Sequence, residues 1–304
     1  MKSSSSSFRS VKKNISLYVM FAPVLLYFII FSYWPMNGVL IAFQDYLPTL
    51  GIFGSPWVGF DNFKQFFSSF YFDRILTNTI GISLYNIVVT TPVPIVLALM
   101  FHELRRTKLK NVMQTITFAP NFISVTVVCG MVLLFLNPDN GIINGVIKLF
   151  GGEAIDFMAN PDSFWHVYVW SGVWQYTGWV ALIYTATMAG IDSSLYEAAE
   201  IDGAGRFAKV IHVTLPSIIP TIVLMFILNL GNVMNVGFEK VLLLQNDLNL
   251  SSSEIIATYI YKRGLLATEY GLSSAVGVFN NVINFALLLV ANTVSKRVSD
   301  TSLW

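Results

Sequence analysis

Charged side chains are scarce in this sequence. Asp, Glu, Lys and Arg make up 12 % of the 304 residues, whereas a soluble domain carries about 25 %. Hydrophobic residues account for 55 % of the chain, and its mean hydropathy is +0.64. This composition predicts a protein of the lipid bilayer. The formal net charge of +1 gives no overall basic surface for a nucleic acid, and none is expected as a partner.

Residues that build catalytic and metal centres are also few. The single cysteine, Cys129, excludes an intrachain disulfide, and the three histidines stand far apart. The sequence has no Cys/His cluster with metal-ligand spacing, no G-x-S-x-G motif and no phosphate-binding loop that ends in Lys-Ser or Lys-Thr. We therefore predict no catalytic residue and no metal site. Without a phosphate-binding loop, the chain cannot hydrolyse ATP by itself.

Long apolar runs, by contrast, recur along the chain. A helix needs roughly 20 mostly apolar residues to cross the hydrocarbon of a bilayer. Six segments meet that length, at about 16–34, 80–101, 112–136, 164–189, 217–237 and 272–294. The sequence therefore predicts an all-α membrane protein with six transmembrane helices within residues 16–294. A tail at 1–15, with a disordered serine run at 3–7, and a second tail at 295–304 flank them.

The distribution of charge predicts how these spans are oriented. Lys and Arg stay preferentially on the cytoplasmic side of short loops. With both termini inside, twelve Lys and Arg residues fall in the inner segments and six in the outer ones, whereas six acidic residues fall inside and eleven outside. This predicts cytoplasmic N- and C-termini, and it places the loop at 190–216 in the cytoplasm.

That cytoplasmic loop is polar and is interrupted by glycine. Ser194 stands three residues before Glu197, which is the spacing of a capping box and predicts a helix that begins there. The small residues at 202–205 then predict a sharp bend, because glycine tolerates the backbone angles that a bend needs. A second helix is predicted from Arg206 to Pro216. On local physics alone, this helix–bend–helix unit could simply join two spans.

Amide and aromatic side chains are conspicuous inside the predicted spans. Polar groups there are costly and usually face the bundle interior or a wet cavity. Span five carries Asn229 and Asn232 one helical turn apart, and span six carries Asn280 and Asn284 on one face. Span four contributes a further set, at Trp170, Trp174, Gln175, Tyr176 and Trp179. These groups suit sugars, which stack on rings and need hydrogen bonds, although the amides could equally bond only helix to helix.

The stretch EAAEIDGAGRFAKVIHVTLPSIIP, at 197–220, resembles the EAA loop of permease subunits in binding-protein-dependent ABC importers. The family's Glu-Ala-Ala, Asp-Gly-Ala and Leu-Pro elements are matched at the family's spacing by Glu197, Ala198, Ala199, Asp202, Gly203, Ala204, Leu215 and Pro216. In that family the loop is a coupling helix that docks onto a cytoplasmic ATPase. The resemblance implies the type I ABC importer permease fold, which is called MetI-like.

A second resemblance covers the amino-terminal half of the chain. The segments YWPMNGVLIAFQDY, SPWVGFDNFKQFF and PVPIVLALMFHELRR resemble permeases for polysaccharide and oligosaccharide uptake, of the LplB and alginate-importer type. The chain is also similar to the maltose permease subunit, in which sugar contacts lie on the helices before and after the EAA loop. Counting from the shared Glu carries those contacts to Gln175, Tyr176, Trp179, Asn229, Asn232 and Val233.

Together the resemblances imply a non-catalytic permease subunit in a bacterial cytoplasmic membrane, without a cofactor of its own. Its expected partners, besides membrane lipid, are a second, homologous permease subunit, two cytoplasmic ABC ATPases that bind ATP and Mg²⁺, an extracellular or periplasmic solute-binding protein, and a sugar. A permease for another solute class stays open. A secondary transporter or channel would instead need charged residues within the spans for ion coupling, and none lies convincingly there.

Overall fold

The computed structural model describes residues 14–299. Most of the predicted first tail, including the serine run at 3–7, lies outside the described residues, as do positions 300–304 of the second tail. Residues 295–299, which were assigned to that second tail, instead continue the last helix.

The regular secondary structure of the described residues is helical, apart from one antiparallel β-bridge between Gln44 and Trp57. This confirms the predicted all-α class. The α-helices of residues 14–299 are α1 (Ile15–Phe28), α2 (Gly51–Gly54), α3 (Asp61–Phe67), α4 (Phe72–Thr90), α5 (Pro92–Glu103), α6 (Thr107–Phe118), α7 (Val125–Phe135), α8 (Ile142–Leu149), α9 (Pro161–Ala189), α10 (Ser193–Ile201), α11 (Arg206–Lys209), α12 (Leu215–Leu230), α13 (Phe238–Leu244), α14 (Leu250–Ser253), α15 (Ile256–Ile260) and α16 (Tyr270–Ser299). Short π-helical and 3₁₀ turns extend several of them.

Four helical stretches in the described residues are long and apolar enough to cross a membrane. They are Ile15–Phe43, Phe72–Glu103, Arg206–Leu230 and Tyr270–Thr293, and they contain most of the predicted spans one, two, five and six. The first of them has no buried residue in its most apolar window. An apolar helix with so little protein around it is suited to a lipid environment.

The third predicted span is not one straight helix. α6 continues through a 3₁₀ turn at Ala119–Phe122, and α7 then leaves at an angle of 101°. Pro120 in that turn has no N–H to continue a helical ladder, and the Ser124 side chain caps α7 by accepting a hydrogen bond from the Val127 N–H. The pair makes a fifth candidate span only if both arms together form one crossing.

The fourth predicted span corresponds to α9, which is 29 residues long. At about 1.5 Å per residue it exceeds the roughly 30 Å of a bilayer core. It is nevertheless not one of the candidate spans, since polar and aromatic residues interrupt its apolar sequence. α9 contacts α4 to α7 on one side and α12 to α14 on the other, so it is the central helix of the bundle. The count of six crossings stays a prediction.

Three clusters of buried side chains hold the bundle together. One joins α5, α9 and α12 close to the 190–216 loop, through Ala98, Phe101, Ala181, Tyr184, Met188 and Ile218. A second joins α4, α7, α9 and α13, and a third joins α3, α4, α15 and α16. In a bilayer such packing stabilises by van der Waals contact rather than by removing apolar surface from water. Between the clusters lies a cavity, beside the middle of α9 and the end of α12, which is described below.

Candidate functional site

The 190–216 loop begins with a helix, but the predicted capping box is wrong. α10 starts at Ser193 and its N-cap is Asp192, whose Oδ1 accepts a hydrogen bond from the Ser194 N–H at 2.9 Å. Aspartate is as good an N-cap as serine, and its negative charge also suits the positive end of the helix dipole. That backbone hydrogen bond holds the pKa of Asp192 below its usual value. The loop helix is therefore capped two residues earlier than the spacing of Ser194 and Glu197 predicts.

The bend predicted after this helix is confirmed, and its geometry is specific. Gly203 has a φ of +76°, which is the left-handed conformation that glycine adopts most readily. The Gly203 N–H donates to Glu200 O at 3.0 Å, and the Ala204 N–H donates to Ala199 O at 2.8 Å. These two bonds form a Schellman motif, which ends a helix and turns the chain sharply. An ion pair from Lys209 to Glu200 closes the bend and lowers the pKa of Glu200.

The second helix of the loop starts at Arg206 as predicted but does not stop at Pro216. α11, a π-helical turn at Val210–Thr214 and α12 form one continuous helical stretch from Arg206 to Leu230. The π-helical turn directly precedes Leu215 and Pro216, and such a departure from regular α-helical bonding is common where proline removes a backbone N–H. The second half of the loop is thus the beginning of a membrane helix.

A tyrosine in the loop helix ties it to two other helices. The Tyr196 hydroxyl lies 3.3 Å from His102 Nε2 at the end of α5 and 3.0 Å from Thr214 Oγ1 in the π-helical turn. Thr214 is fully buried. This one hydroxyl therefore connects α10 both to α5 and to the base of α12.

Outward from these contacts, the loop exposes apolar surface. α10 has no buried residue, Ile201 is 87 % exposed and Phe207 is 77 % exposed. Of the motif residues, Glu197, Ala198, Asp202, Gly203 and Pro216 are exposed, whereas Ala199, Ala204 and Leu215 are half-buried. Apolar side chains grouped on an otherwise polar projection are typical of a surface that binds another protein.

A cavity of about 420 Å³ with both polar and apolar walls lies beside the middle of α9, between α4, α12 and α13. Its wall includes Asn86, Thr90, Tyr168, Gly172, Tyr176, Tyr184, Asn229, Glu239 and Lys240. A smaller cavity of about 130 Å³ adjoins it and shares Asn86, Tyr168 and Asn229. Within the described residues, the side-chain amides of Asn86 and Asn229 make no hydrogen bond. They are free to bind a polar ligand.

Four of the six residues predicted for the substrate path line these cavities. Tyr176 and Asn229 line the larger one, and Asn229, Asn232 and Val233 line the smaller one. The three asparagine and valine positions come from the predicted span at 217–237, but α12 already ends at Leu230. Asn232 and Val233 therefore lie in a turn beyond the helix, where the Asn232 side chain donates to Leu228 O at 3.0 Å.

The other two predicted residues lie elsewhere. Gln175 is 1 % exposed and its Nε2 donates to Ile123 O at 3.0 Å, so it holds the bend between α6 and α7. Trp179 is half-exposed and does not line the cavity. Trp170 and Trp174 border a separate apolar groove of about 580 Å³. The aromatics of span four are therefore divided between several environments.

The asparagines of span six form hydrogen bonds between segments of the bundle, which is the second of the two roles that the sequence allowed for them. Asn280 Nδ2 donates to Asn235 Oδ1 at 3.0 Å, and Asn284 Oδ1 accepts from the Met234 N–H at 3.0 Å. Both bonds fix the turn that follows α12. These amides shape the smaller cavity from behind without lining it.

Sequence reasoning missed the charged members of the cavity wall. Lys240 and Glu239 were assigned to an outer segment, but α13 folds back against α9 and brings both to the cavity. Lys240 is 6 % exposed, and its Nζ donates to Tyr168 O at 2.8 Å. The signal available in the sequence was a lone lysine directly before an apolar run, in FEKVLLL.

A helical bundle with a cavity beside its central helix and a helical loop that continues into one membrane helix has the architecture of a membrane permease, a non-catalytic class of protein. The model of the family described as binding-protein-dependent transport system inner membrane component matches residues 74–300. The chain belongs to this family, which confirms the resemblance carried by the EAA loop.

Relatives with known names agree with this assignment. Protein LplB of Bacillus subtilis (strain 168) is 41 % identical over 295 residues, covering 97 % of this chain and 93 % of LplB. The polygalacturonan/rhamnogalacturonan transport system permease protein YteP of the same strain is 40 % identical, covering 95 % and 90 %. A chain in the crystal structure of a bacterial alginate ABC transporter, in complex with an alginate pentasaccharide-bound periplasmic protein, superposes with a TM-score of 0.91 at 34 % identity, covering 97 % of this chain and 99 % of that one.

Proposed function

We propose that this chain forms one half of the translocation path of an ATP-driven importer of oligosaccharides or polysaccharide fragments. The observation that carries the proposal is the continuous helix from Arg206 to Leu230, which begins in the exposed loop and ends at Asn229 and Leu230 beside the cavity. The names of YteP and of the alginate transporter support a carbohydrate as the solute. The sugar would meet the Tyr176 ring and the free amides of Asn86 and Asn229.

The remaining partners follow from what the chain lacks. It has no phosphate-binding loop, so ATP and Mg²⁺ are bound by two cytoplasmic ABC ATPases. The EAA loop, with Glu197 to Ala199 and Asp202 to Ala204, docks on one of them through the exposed Ile201 and Phe207. A second, homologous permease subunit completes the path, and a solute-binding protein delivers the sugar from outside.

In this mechanism, ATP binding brings the two ATPases together and moves the docked loop. The Tyr196 hydroxyl and the helix through Leu215 and Pro216 pass that movement to α5 and α12. The cavity then opens outward to receive the sugar, and hydrolysis of ATP returns it to the inward-open state. With both termini in the cytoplasm, as the distribution of Lys and Arg predicts, the loop lies on the same side as the nucleotide.

Reconstitution tests the assignment directly. We expect proteoliposomes with the chain, its partner permease, the ATPases and the binding protein to take up an oligosaccharide only when ATP is supplied on the ATPase side. Liposomes without the ATPases should take up none. Uptake that proceeds at the same rate without the ATPases would contradict the proposal and favour a secondary transporter.

Cysteine labelling tests the orientation. The native Cys129 is buried, so it should contribute little background. In intact cells, a membrane-impermeant maleimide should label Leu149→Cys, at an exposed position of an outer segment, but not Ile201→Cys in the loop. Permeabilised cells that express the chain without its ATPases, so that Ile201 is not covered, should label both. Labelling of Ile201→Cys from outside would overturn the coupling role of the loop.

Removing the Tyr196 hydroxyl should weaken coupling without disturbing insertion. Tyr196→Phe loses two neutral hydrogen bonds, each worth about 1 kcal/mol. We expect the sugar imported per ATP hydrolysed to fall about fivefold or more, while the membrane level of the protein is unchanged. Tyr46→Phe is the matched control, because the Tyr46 hydroxyl makes no hydrogen bond within the described residues. If Tyr196→Phe imports as much sugar per ATP as the wild type, the Tyr196 hydroxyl does not transmit movement from α10 to α5 and α12.

A further inference from the structure

Lys240 brings a buried positive charge to the wall of the larger cavity. Its side chain is 6 % exposed; Nζ donates to Tyr168 O at 2.8 Å and lies 4.8 Å from the centre of the Tyr168 ring. None of the ion pairs within residues 14–299 includes Lys240. An ammonium has three N–H donors, and two of these have no acceptor in the described part of the chain.

A second buried charge in the described residues, Glu254, has different surroundings. Glu254 is also 6 % exposed, but its two carboxylate oxygens bond to Arg74 and to Lys262. A buried charge is normally compensated in this way, since an uncompensated one is costly. Lys240 has only a carbonyl and a ring face instead, which leaves its charge available to an anion from outside the described chain.

The acid next to Lys240 does not supply that anion. Glu239 is exposed, and its Oε1 accepts a hydrogen bond from Thr126 Oγ1 at 3.1 Å, on the side of α7. It forms no ion pair with Lys240. Its second carboxylate oxygen makes no hydrogen bond in the described residues and can accept one from a ligand hydroxyl.

The cavity also leaves space at the ammonium. A Cβ at Gly172 would lie 3.3 Å from Lys240 Nζ, so a side chain there would crowd the charge. Tyr168 is held in place because its hydroxyl accepts a hydrogen bond from the Gly237 N–H at 3.1 Å. The volume of about 420 Å³ falls in the range of small-ligand sites.

From these observations we propose that Lys240 binds the carboxylate of an acidic sugar, so that the solute of this permease contains uronic acid units. This inference rests on the proposed carbohydrate-import function and specifies its substrate class. One ammonium matches the single negative charge of a carboxylate, whereas a phosphate monoester carries about −1.5 to −2 and calls for more donors. The polygalacturonan named for YteP is itself a chain of sugar carboxylates.

A methyl ester provides a matched neutral ligand for the test. Uptake of trigalacturonate and trimannuronate is compared with uptake of their methyl esters, in proteoliposomes that contain the complete transporter. The variants are Lys240→Met, which keeps the length of the side chain but removes its charge, and Lys240→Arg, which keeps the charge. Lys148→Met, at an exposed lysine of α8, is the control. A thermal melt of each purified complex verifies its assembly.

We expect Lys240→Met to lower uptake of at least one uronate at least about tenfold, which is the value of a charge-assisted hydrogen bond. Uptake of the methyl esters should change less than about threefold in the same variant. Lys240→Arg should retain uronate uptake, and Lys148→Met should behave as wild type. An equal loss for acid and ester, or no loss for either, would overturn the inference and leave carbohydrate import intact.

Two further outcomes separate this inference from the function on which it rests. If the wild-type transporter imports neutral oligosaccharides but no uronate, the carboxylate site is refuted alone. If it imports no oligosaccharide but takes up glycerol 3-phosphate in a manner that depends on Lys240, the anion is a phosphate, and both the sugar assignment and the carboxylate site fail.

Discussion

Replacing Gly203 with valine should abolish most ATP-driven uptake while leaving membrane insertion intact. The residue adopts a φ of +76° in the Schellman turn, and a non-glycine residue in this conformation costs about 1–2 kcal/mol, with β-branched side chains the least tolerated. A Cβ at Gly203 would meet no atom within 4 Å, so the penalty is a backbone penalty. We expect the competent loop to be populated about 5- to 30-fold less, and uptake to fall with it.

Nearby positions supply the controls. Gly205 has the same open surroundings but a φ of −70°, which any residue adopts, so Gly205→Ser should keep full activity. Gly203→Asn should fall between the two, since asparagine tolerates the left-handed region better than other side chains. The measurement is uptake together with stimulation of the ATPase. If Gly203→Val couples ATP hydrolysis to uptake as well as Gly205→Ser does, the bend is not needed for coupling.

Gly178→Ala should be the most damaging of the conservative substitutions for the bundle itself. A Cβ at Gly178 of α9 would lie 2.1 Å from Thr117 O and 2.6 Å from Phe118 N, which are backbone atoms of α6 and cannot rotate away. The two helices have to move apart, at the α6–α7 bend that Gln175 also holds. We expect a loss of about 3 kcal/mol in the free energy of unfolding, the upper end for overpacking by one methyl group.

The same substitution at Gly130 in α7 is the matched control, since a Cβ there meets nothing within 4 Å. Alanine is also the better helix former by about 1 kcal/mol, so Gly130→Ala should be neutral or stabilising. Unfolding of the purified protein in SDS, together with its steady-state level in the membrane, distinguishes the two variants. Equal stability of Gly178→Ala and wild type would mean that α6 and α9 are less closely packed than the structure shows.

The 190–216 loop shows which features can be predicted from the local sequence. The residues from Glu197 to Pro216 were assigned to a helix, a bend and a second helix, and that order is confirmed because each element is specified by near neighbours. The predictions that were wrong concern the exact ends of the helices, where neighbouring residues could serve equally well. Asp192 caps α10 in place of Ser194, and the second helix continues through Pro216, because a π-helical turn lies directly before it.

The lining of the cavity, in contrast, could not be predicted from the local sequence alone. Asn229 and Tyr176 were selected as polar groups on apolar helices, and both line it. Gln175 satisfies the same criterion but bonds to Ile123. Which side of a helix faces a gap depends on neighbours that are distant in the chain, so polarity alone could not separate these residues.

By itself, the sequence determined that this is an all-helical membrane protein of the permease family with a helix–bend–helix loop, because hydropathy and short motifs are local properties. Only the tertiary structure decided that α6 and α7 meet at 101°, that α9 is central, and that Lys240 reaches the cavity. Those features depend on contacts such as the one between Lys240 and Tyr168, which are 72 residues apart. Packing between distant segments sets their positions, and no single segment contains that information.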